Sequence, residues 1–88
     1  MFESTRKIID FIEDSSSSAL LEDSLLGLMT PKERMEFARR IEIVKRLIRG
    51  DTHHQIAQEL KVGVATVSRG SRELAQGRFK ILLSKPKQ

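Results

Sequence analysis

The chain has 88 residues, sixteen of them basic and twelve acidic, and a formal net charge of +4 at pH 7. A chain this short predicts one domain, with a buried fraction near the lower limit for independent stability, so a partner subunit would help it. The absence of cysteine excludes a disulfide or a thiolate metal site. No apolar run approaches the roughly 18 residues that a membrane span needs, so we expect a cytoplasmic protein with no membrane partner.

Residues 1–29 are predicted to form N-terminal dimerisation helices. Phe2, Ile8, Ile9, Phe11 and Ile12 recur at helical spacing to about Asp14, where a run of four serines ends the pattern. A second helix, from about Ala19 to Leu28, has five leucines in nine residues, which is more than one buried face requires. Two explanations remain open, burial within the monomer or coverage by a second subunit, and the size of the chain favours the second.

Residues 30–50 are predicted to form the central helix. Thr30 is the expected N-cap, Pro31 occupies the first helical position, and Glu33 completes a capping box. Gly50 supplies a left-handed C-cap after Arg49. Apolar side chains cover a wide stripe of this helix, at Met35, Phe37, Ala38, Ile41, Ile43, Val44, Leu47 and Ile48. Because no strand alternation is found anywhere, the predicted fold class is all-α, with five to six short helices.

Residues 51–76 have the layout of a helix-turn-helix. Thr52 can cap a helix that ends at Leu60, a turn follows at residues 61–63, and a second helix runs from Val64 to about Ala75. Ala57 is the small residue that such a motif needs where its two helices meet. The start of the second helix is expected to face DNA with Val64, Ala65, Thr66, Ser68 and Arg69.

Two positions depart from the usual helix-turn-helix pattern. Lys61 stands where glycine is often preferred in the turn, and Gly70 stands where a buried apolar residue is expected. Gly70 could leave a slot between this helix and the central helix, bordered by Arg69 and Arg40. Two guanidinium groups suit a flat aromatic ligand and its carboxylate. The alternative is close backbone packing at Gly70.

Charge divides the chain into an acidic head and a basic body. Residues 1–30 contain six acidic and two basic side chains, whereas residues 31–88 contain six acidic and fourteen basic ones. Cations gathered in one part of a chain are typical of proteins that bind the phosphate backbone. An ordinary solvated surface is the alternative. If six or more of the set made up of Arg39, Lys45, Arg46, Lys61, Arg69 and their counterparts in a second copy reach phosphates, DNA affinity should fall steeply with salt.

Two runs of sequence resemble the bacterial tryptophan repressor family. They are LLGLMTPKERMEFARRIEIVKRLIRGD, residues 25–51, and QELKVGVATVSRGS, residues 58–71, and the span from 25 to 71 that they define is over half of the chain. The resemblance implies an intertwined homodimer that binds double-stranded operator DNA, with L-tryptophan as a corepressor in place of a resident cofactor. An enzyme is not expected, because the adjacent His53 and His54 would point about 100° apart on a helix and no cysteine or paired carboxylate completes a metal or acid–base site.

The resemblance also implies roles for individual residues. Arg40 and Arg69 would enclose the indole, Thr30 and Arg69 would hold the carboxylate, and Gly70 would admit the ring. Base edges would meet Val64, Ala65 and Thr66, and a phosphate would meet Ser68. His53, His54 and Lys61 are further expected DNA contacts.

The chain departs from the family pattern near the ligand's ammonium group. The segment from Leu28 to Thr30, whose backbone carbonyls would receive the ammonium, is one residue short, and Glu73 stands where the family uses a serine. Residues 77–88 provide only a short C-terminal helix and tail. Three functions therefore remain open. These are a tryptophan-dependent repressor, a DNA-binding regulator of the same fold that ignores tryptophan, and a helical dimeric adaptor.

Overall fold

The computed structural model describes residues 3–84, apart from the side chain of Ser84. Six helices and no strand occur in this part of the chain, which confirms the all-α prediction. In chain order the helices are α1 (Glu3–Glu13), α2 (Ser18–Leu28), α3 (Pro31–Arg49), α4 (His53–Leu60), α5 (Val64–Ala75) and α6 (Lys80–Ser84). None of these six is both long and apolar enough to cross a membrane. Phe2, predicted to belong to the first apolar face, lies outside the described residues.

The chain forms two compact units, Met1–Arg34 and Met35–Gln88. In the first unit, α2 begins after Ser17, whose hydroxyl accepts a hydrogen bond from the Leu20 amide at 3.2 Å. Neither α1 nor α2 contains a buried residue. Leu20, Leu26 and Leu28 are about half exposed, at 52, 54 and 51%. The leucine-rich helix is therefore largely uncovered in the single chain.

The predicted capping box at the start of α3 is confirmed. Thr30 accepts a hydrogen bond from the Glu33 amide at 3.1 Å, and the Glu33 carboxylate accepts one from the Thr30 amide at 2.8 Å. At its other end α3 closes with a Schellman motif, in which Gly50 has a φ of 103°. The Gly50 amide donates to the Leu47 carbonyl and the Asp51 amide to the Arg46 carbonyl.

The core of the second unit joins α3 to the helix-turn-helix. Its buried residues are Ile43, Val44, Ile56, Ala57 and Val67, with Leu47, Leu60 and Val62 packed around the cluster. The predicted small residue of the motif is therefore buried between helices. Most of the wide apolar stripe of α3 remains exposed in the single chain, including Phe37 at 48%, Ile41 at 46% and Met35 at 61%.

The turn of the helix-turn-helix has the strained residue that the sequence indicates. Lys61 adopts the left-handed conformation, with φ 58° and ψ 48°, which costs a side-chain-bearing residue about 1 kcal/mol. Thr52 caps α4 as predicted. Gln55 completes a second capping box, which was not predicted from the sequence. Both ends of α4 are thus fixed by local contacts.

An ion-pair network fixes the path between α3 and α4. Arg46, whose side chain is 12% exposed, donates to the Asp51 carboxylate at 2.6 Å and also pairs with Glu59. Arg49 pairs with Asp51 as well. The carboxylates of Asp51 and Glu59 raise the pKa of Arg46 above its ordinary value. The network ties the end of α3, the connecting loop and the last turn of α4 together.

Helix α5 also ends in a Schellman motif, the second in the chain as described. Gly77 has a φ of 90°, and the Arg78 amide donates to the Glu73 carbonyl at 3.0 Å. Lys80 then donates to the Gly77 carbonyl at 2.6 Å. Phe79 has a φ of 63°, a conformation that disfavours a bulky residue by about 1 kcal/mol. The short helix α6 follows directly.

Candidate functional site

The first turns of α5 carry exposed side chains on a helix whose opposite side is buried. Val64 is 41% exposed, and Ala65, Thr66 and Arg69 are also exposed, whereas Val67 is fully buried. Ser68 is half-buried. The burial of Val67 anchors α5 on the core and leaves these neighbouring side chains accessible.

The two histidines lie at the start of α4. His53 is half-buried and His54 is exposed, and Lys61 at the other end of α4 is exposed as well. The first turns of α4 and α5 contain no acidic residue. Gly63, the N-cap of α5, offers no side-chain acceptor, and the first amides of a helix have no acceptor within it. Such a helix start favours an anion such as a phosphate.

A cavity of about 880 Å³ lies beside α5, within the second unit. Pockets that hold small molecules typically measure about 300–1,000 Å³, so this volume suits an organic ligand. Four of the six residues proposed to bind the ligand line the cavity, namely Arg40, Arg69, Gly70 and Glu73. Its charged lining consists of five cations, Arg39, Arg40, Lys61, Arg69 and Arg72, and two acids, Glu36 and Glu73. The cavity therefore favours a ligand with an anionic group.

Gly70 packs closely against α3. A Cβ atom placed on it would lie 3.3 Å from Cγ2 of Ile43 and 3.5 Å from Cδ1 of Leu47. Close backbone packing, which was the alternative to a slot, is therefore found at Gly70. The same residue also lines the cavity. Ile43 is only 1% exposed and has little room to move.

Arg40 and Glu73 each have a partner within the second unit. The guanidinium carbon of Arg40 lies 5.3 Å from the centroid of the Phe37 ring, a cation–π distance. Glu73 is 3.7 Å from Nε of Arg78. The carboxylate that replaces the family's serine is therefore shared with an arginine of the same chain.

Leu28 and Thr30, the remaining two ligand-site candidates, belong to the first unit. The Thr30 oxygen accepts the Glu33 amide, and its hydroxyl hydrogen can still be donated to a carboxylate. Arg34 donates to the Met29 carbonyl at 2.7 Å and to the Leu26 carbonyl at 3.4 Å. One carbonyl of the shortened segment is thus already paired with a cation.

Several residues of the cavity wall were not identified from the sequence. These are Glu36, Phe37, Arg39, Arg72 and Phe79. Phe37 was assigned only to the apolar stripe of α3, although its half-exposed ring beside Arg40 is an aromatic surface. Phe79 reaches the cavity because of a left-handed backbone conformation, for which Gly77 gives the only nearby signal.

Known proteins resemble this chain over most of its length. The Trp repressor protein family matches residues 3–86. The chain belongs to the Trp repressor family. A Trp operon repressor homolog from Vibrio parahaemolyticus is 41% identical over 70 residues, covering 78% of this chain and 68% of that protein. Homologs of the same name from Vibrio vulnificus and Vibrio cholerae are 40 and 38% identical, covering 78 and 83% of this chain and 69 and 72% of the relatives.

Membership of the Trp repressor family makes this chain a regulator of the tryptophan-repressor type. The match spans both units. It thereby covers the leucine-rich helix, the central helix and the helix-turn-helix together. The family itself is one of regulatory proteins.

Proposed function

We propose that the chain represses transcription as a homodimer that binds palindromic operator DNA and responds to an aromatic amino acid, with L-tryptophan as the first candidate. The observation that carries the proposal is the position of Arg69. This exposed residue lies in the first half of α5 and also lines the cationic cavity. A ligand held there would contact the same helix that reads DNA.

Exposed side chains at the start of α5 support the DNA-reading role. Thr66 can donate or accept a hydrogen bond at a base edge, and Val64 and Ala65 can make apolar contacts. We expect Thr66→Ala to change the sequences recovered when random DNA is selected with the protein, and Thr5→Ala, on exposed α1, to leave them unchanged. An adaptor with no DNA target would recover no preferred sequence with either variant.

Exposed cations support the phosphate contacts. Arg39, Lys45, Lys61 and Arg69 are exposed, whereas Arg46 is held by Asp51 and Glu59. The salt dependence of operator affinity is therefore expected to come from these four cations and their counterparts in the second copy. Each phosphate neutralised contributes about 0.9 to the slope of log affinity against log salt concentration. A flat response of operator affinity to salt would contradict the phosphate contacts.

Uncovered apolar side chains support the homodimer. The first unit has a groove of about 380 Å³ lined by Ser18, Leu21, Glu22, Leu25, Leu26 and Arg34. In a chain this small, so much exposed leucine surface favours association with a second copy. Two recognition helices in such a dimer would meet half-sites about one DNA turn apart, roughly 34 Å.

The cationic cavity supports a ligand that carries an aromatic ring and a carboxylate. Calorimetry of the purified protein with tryptophan, combined with operator affinity measured with and without it, tests this role. A ligand that prefers the DNA-binding geometry should improve operator affinity by a coupling of about 1–3 kcal/mol, or about 5–150-fold. No heat of binding together with unchanged operator affinity would contradict tryptophan as the effector.

One observation favours a second candidate, a regulator of the same fold that ignores tryptophan. Glu73 lies 3.7 Å from Nε of Arg78, a cation that competes with an ammonium group for its carboxylate. Selection of DNA sequences with and without tryptophan separates the two candidates, because only the first predicts a difference. The DNA-binding surface is common to both.

A further inference from the structure

Phe79 follows the Schellman motif at the end of α5 and lines the cavity. Its ring is half-buried and lines the same cavity as Arg40, Arg69 and Glu73. The motif is fixed by backbone hydrogen bonds at Gly77 and Arg78 and by the pairing of Arg78 with Glu73. The position of the ring is therefore set by the end of α5.

The backbone of Phe79 is held in an unfavourable conformation. Its φ of 63° lies in the left-handed region, which a bulky residue rarely adopts. Such a conformation persists only where surrounding contacts compensate for it. Partial burial of the ring at the cavity is a contact of that kind.

Aromatic residues are concentrated at this cavity. The chain has four phenylalanines and no tryptophan or tyrosine, and two of the four, Phe37 and Phe79, line the cavity. Phe37 already interacts with Arg40. Phe79 thus adds a second aromatic ring to a wall that is otherwise rich in cations.

We infer that Phe79 is a specificity-determining residue that contacts the ring of the effector, an aromatic molecule with a carboxylate group. The inference rests on the proposed function and adds a ligand contact contributed by the segment after α5. Arginines bind the carboxylate, while the Phe79 ring selects an aromatic group over an aliphatic one of similar size. The cavity of about 880 Å³ exists with the Phe79 ring in place, so the ring forms a wall and leaves room for a ligand.

Calorimetry with tryptophan and with leucine tests this role. We expect Phe79→Ala to weaken tryptophan binding by about tenfold and to reduce the preference for tryptophan over leucine. Phe79→Gly should have the same effect without the strain, because glycine adopts a positive φ freely. Leu83→Ala, at a 57% exposed position of α6, the helix that follows Phe79, is the control and should bind as the wild type does.

A direct readout uses the small number of aromatic rings. Nuclear Overhauser effects between the indole protons of bound tryptophan and the Phe79 ring would establish the contact, since only four phenylalanines need assignment. If the wild type binds tryptophan and Phe79→Ala binds it within twofold, or more tightly, the inference is wrong and the proposed function stands. If the wild type binds no tryptophan, the proposed effector and the inference both fail.

Discussion

Arg46 and Asp51 are joined across the end of α3. Nε of Arg46 lies 2.6 Å from Oδ2 of Asp51, and the Asp51 amide donates to the Arg46 carbonyl. Glu73 and Arg78 hold the same two positions at the end of α5 with their charges reversed, 3.7 Å apart. The side chains at these two positions of a Schellman motif frequently make an apolar contact. In this chain, both of these Schellman motifs have an ion pair there instead.

The first prediction concerns acid stability. Hydrogen bonds from Arg49 and Arg46 lower the pKa of Asp51 from 3.8 to about 2. Because the ionised form is favoured in the folded state, the stabilisation is present above the unfolded pKa and is lost as the pH falls through the folded one. Urea midpoints of wild type and Asp51→Asn should therefore converge between about pH 4 and pH 2.

The Arg46→Met background provides the control for this pH dependence. With one donor to Asp51 removed, the effect of Asp51→Asn should vary less with pH. A difference between wild type and Asp51→Asn that stays constant down to pH 2 would show that the carboxylate is not held by these arginines.

The second prediction concerns Gly70. Ala in place of Gly in a helix gains about 1 kcal/mol, but the added Cβ would lie 3.3 Å from Cγ2 of buried Ile43. We expect Gly70→Ala to change the unfolding free energy by less than about 1 kcal/mol, and the bulkier Gly70→Val to lower it by about 1–3 kcal/mol. Gly27→Ala, also helical but with nothing within 4 Å, should only gain stability. Equal gains at both glycines would contradict close packing at Gly70.

The third prediction concerns the turn of the helix-turn-helix. Lys61→Gly should raise the unfolding free energy by about 0.5–1 kcal/mol, because glycine relieves the left-handed backbone at φ 58°. Lys61→Ala removes the charge but keeps the strain, so it should give no such gain. Both variants should reduce the salt dependence of operator binding equally, measured by titration over a range of salt concentrations. Unequal slopes would assign the salt effect to something other than the Lys61 charge.

The fourth prediction concerns the proposed dimer. Leu26 is 54% exposed on α2, and a symmetric interface would bury it twice. Leu26→Glu should therefore raise the dimer dissociation constant by at least about a hundredfold, measured by sedimentation. Asp23→Asn, at an exposed position of the same helix, is the control. A wild type that sediments as a monomer at high concentration would remove the basis for a dimer.

Local sequence signals predicted the helices well. The capping residues Thr30 and Thr52, the C-cap at Gly50 and the turn at Lys61 all act within a few residues, and each was found where expected. Ala57 was also assigned correctly to the helix-turn-helix packing, because a fixed spacing places it on the inner face of the motif.

Contacts between distant parts of the chain were harder to anticipate. Arg46 was counted among the phosphate-binding cations, yet Glu59, thirteen residues away, and Asp51 hold its side chain. Phe79 reaches the cavity through a positive φ that its residue type disfavours, so no propensity indicated it. The apolar stripe of α3 was expected from periodicity, but periodicity does not tell a face buried in the monomer from one left for a partner.

Arg69 lies in the half of α5 that is proposed to contact DNA, and it also lines the cavity. Under the proposed function, this single residue takes part in two recognition events. A substitution of Arg69 that changes the operator preference would therefore also change the response to the effector. Ala65 and Thr66 line the cavity as Arg69 does, so retargeting by design should vary Val64 first, while changes of ligand should begin at Glu73 and Phe79. Val64 can thus be changed for DNA recognition, and Glu73 and Phe79 for metabolite recognition, with the least effect on the other event.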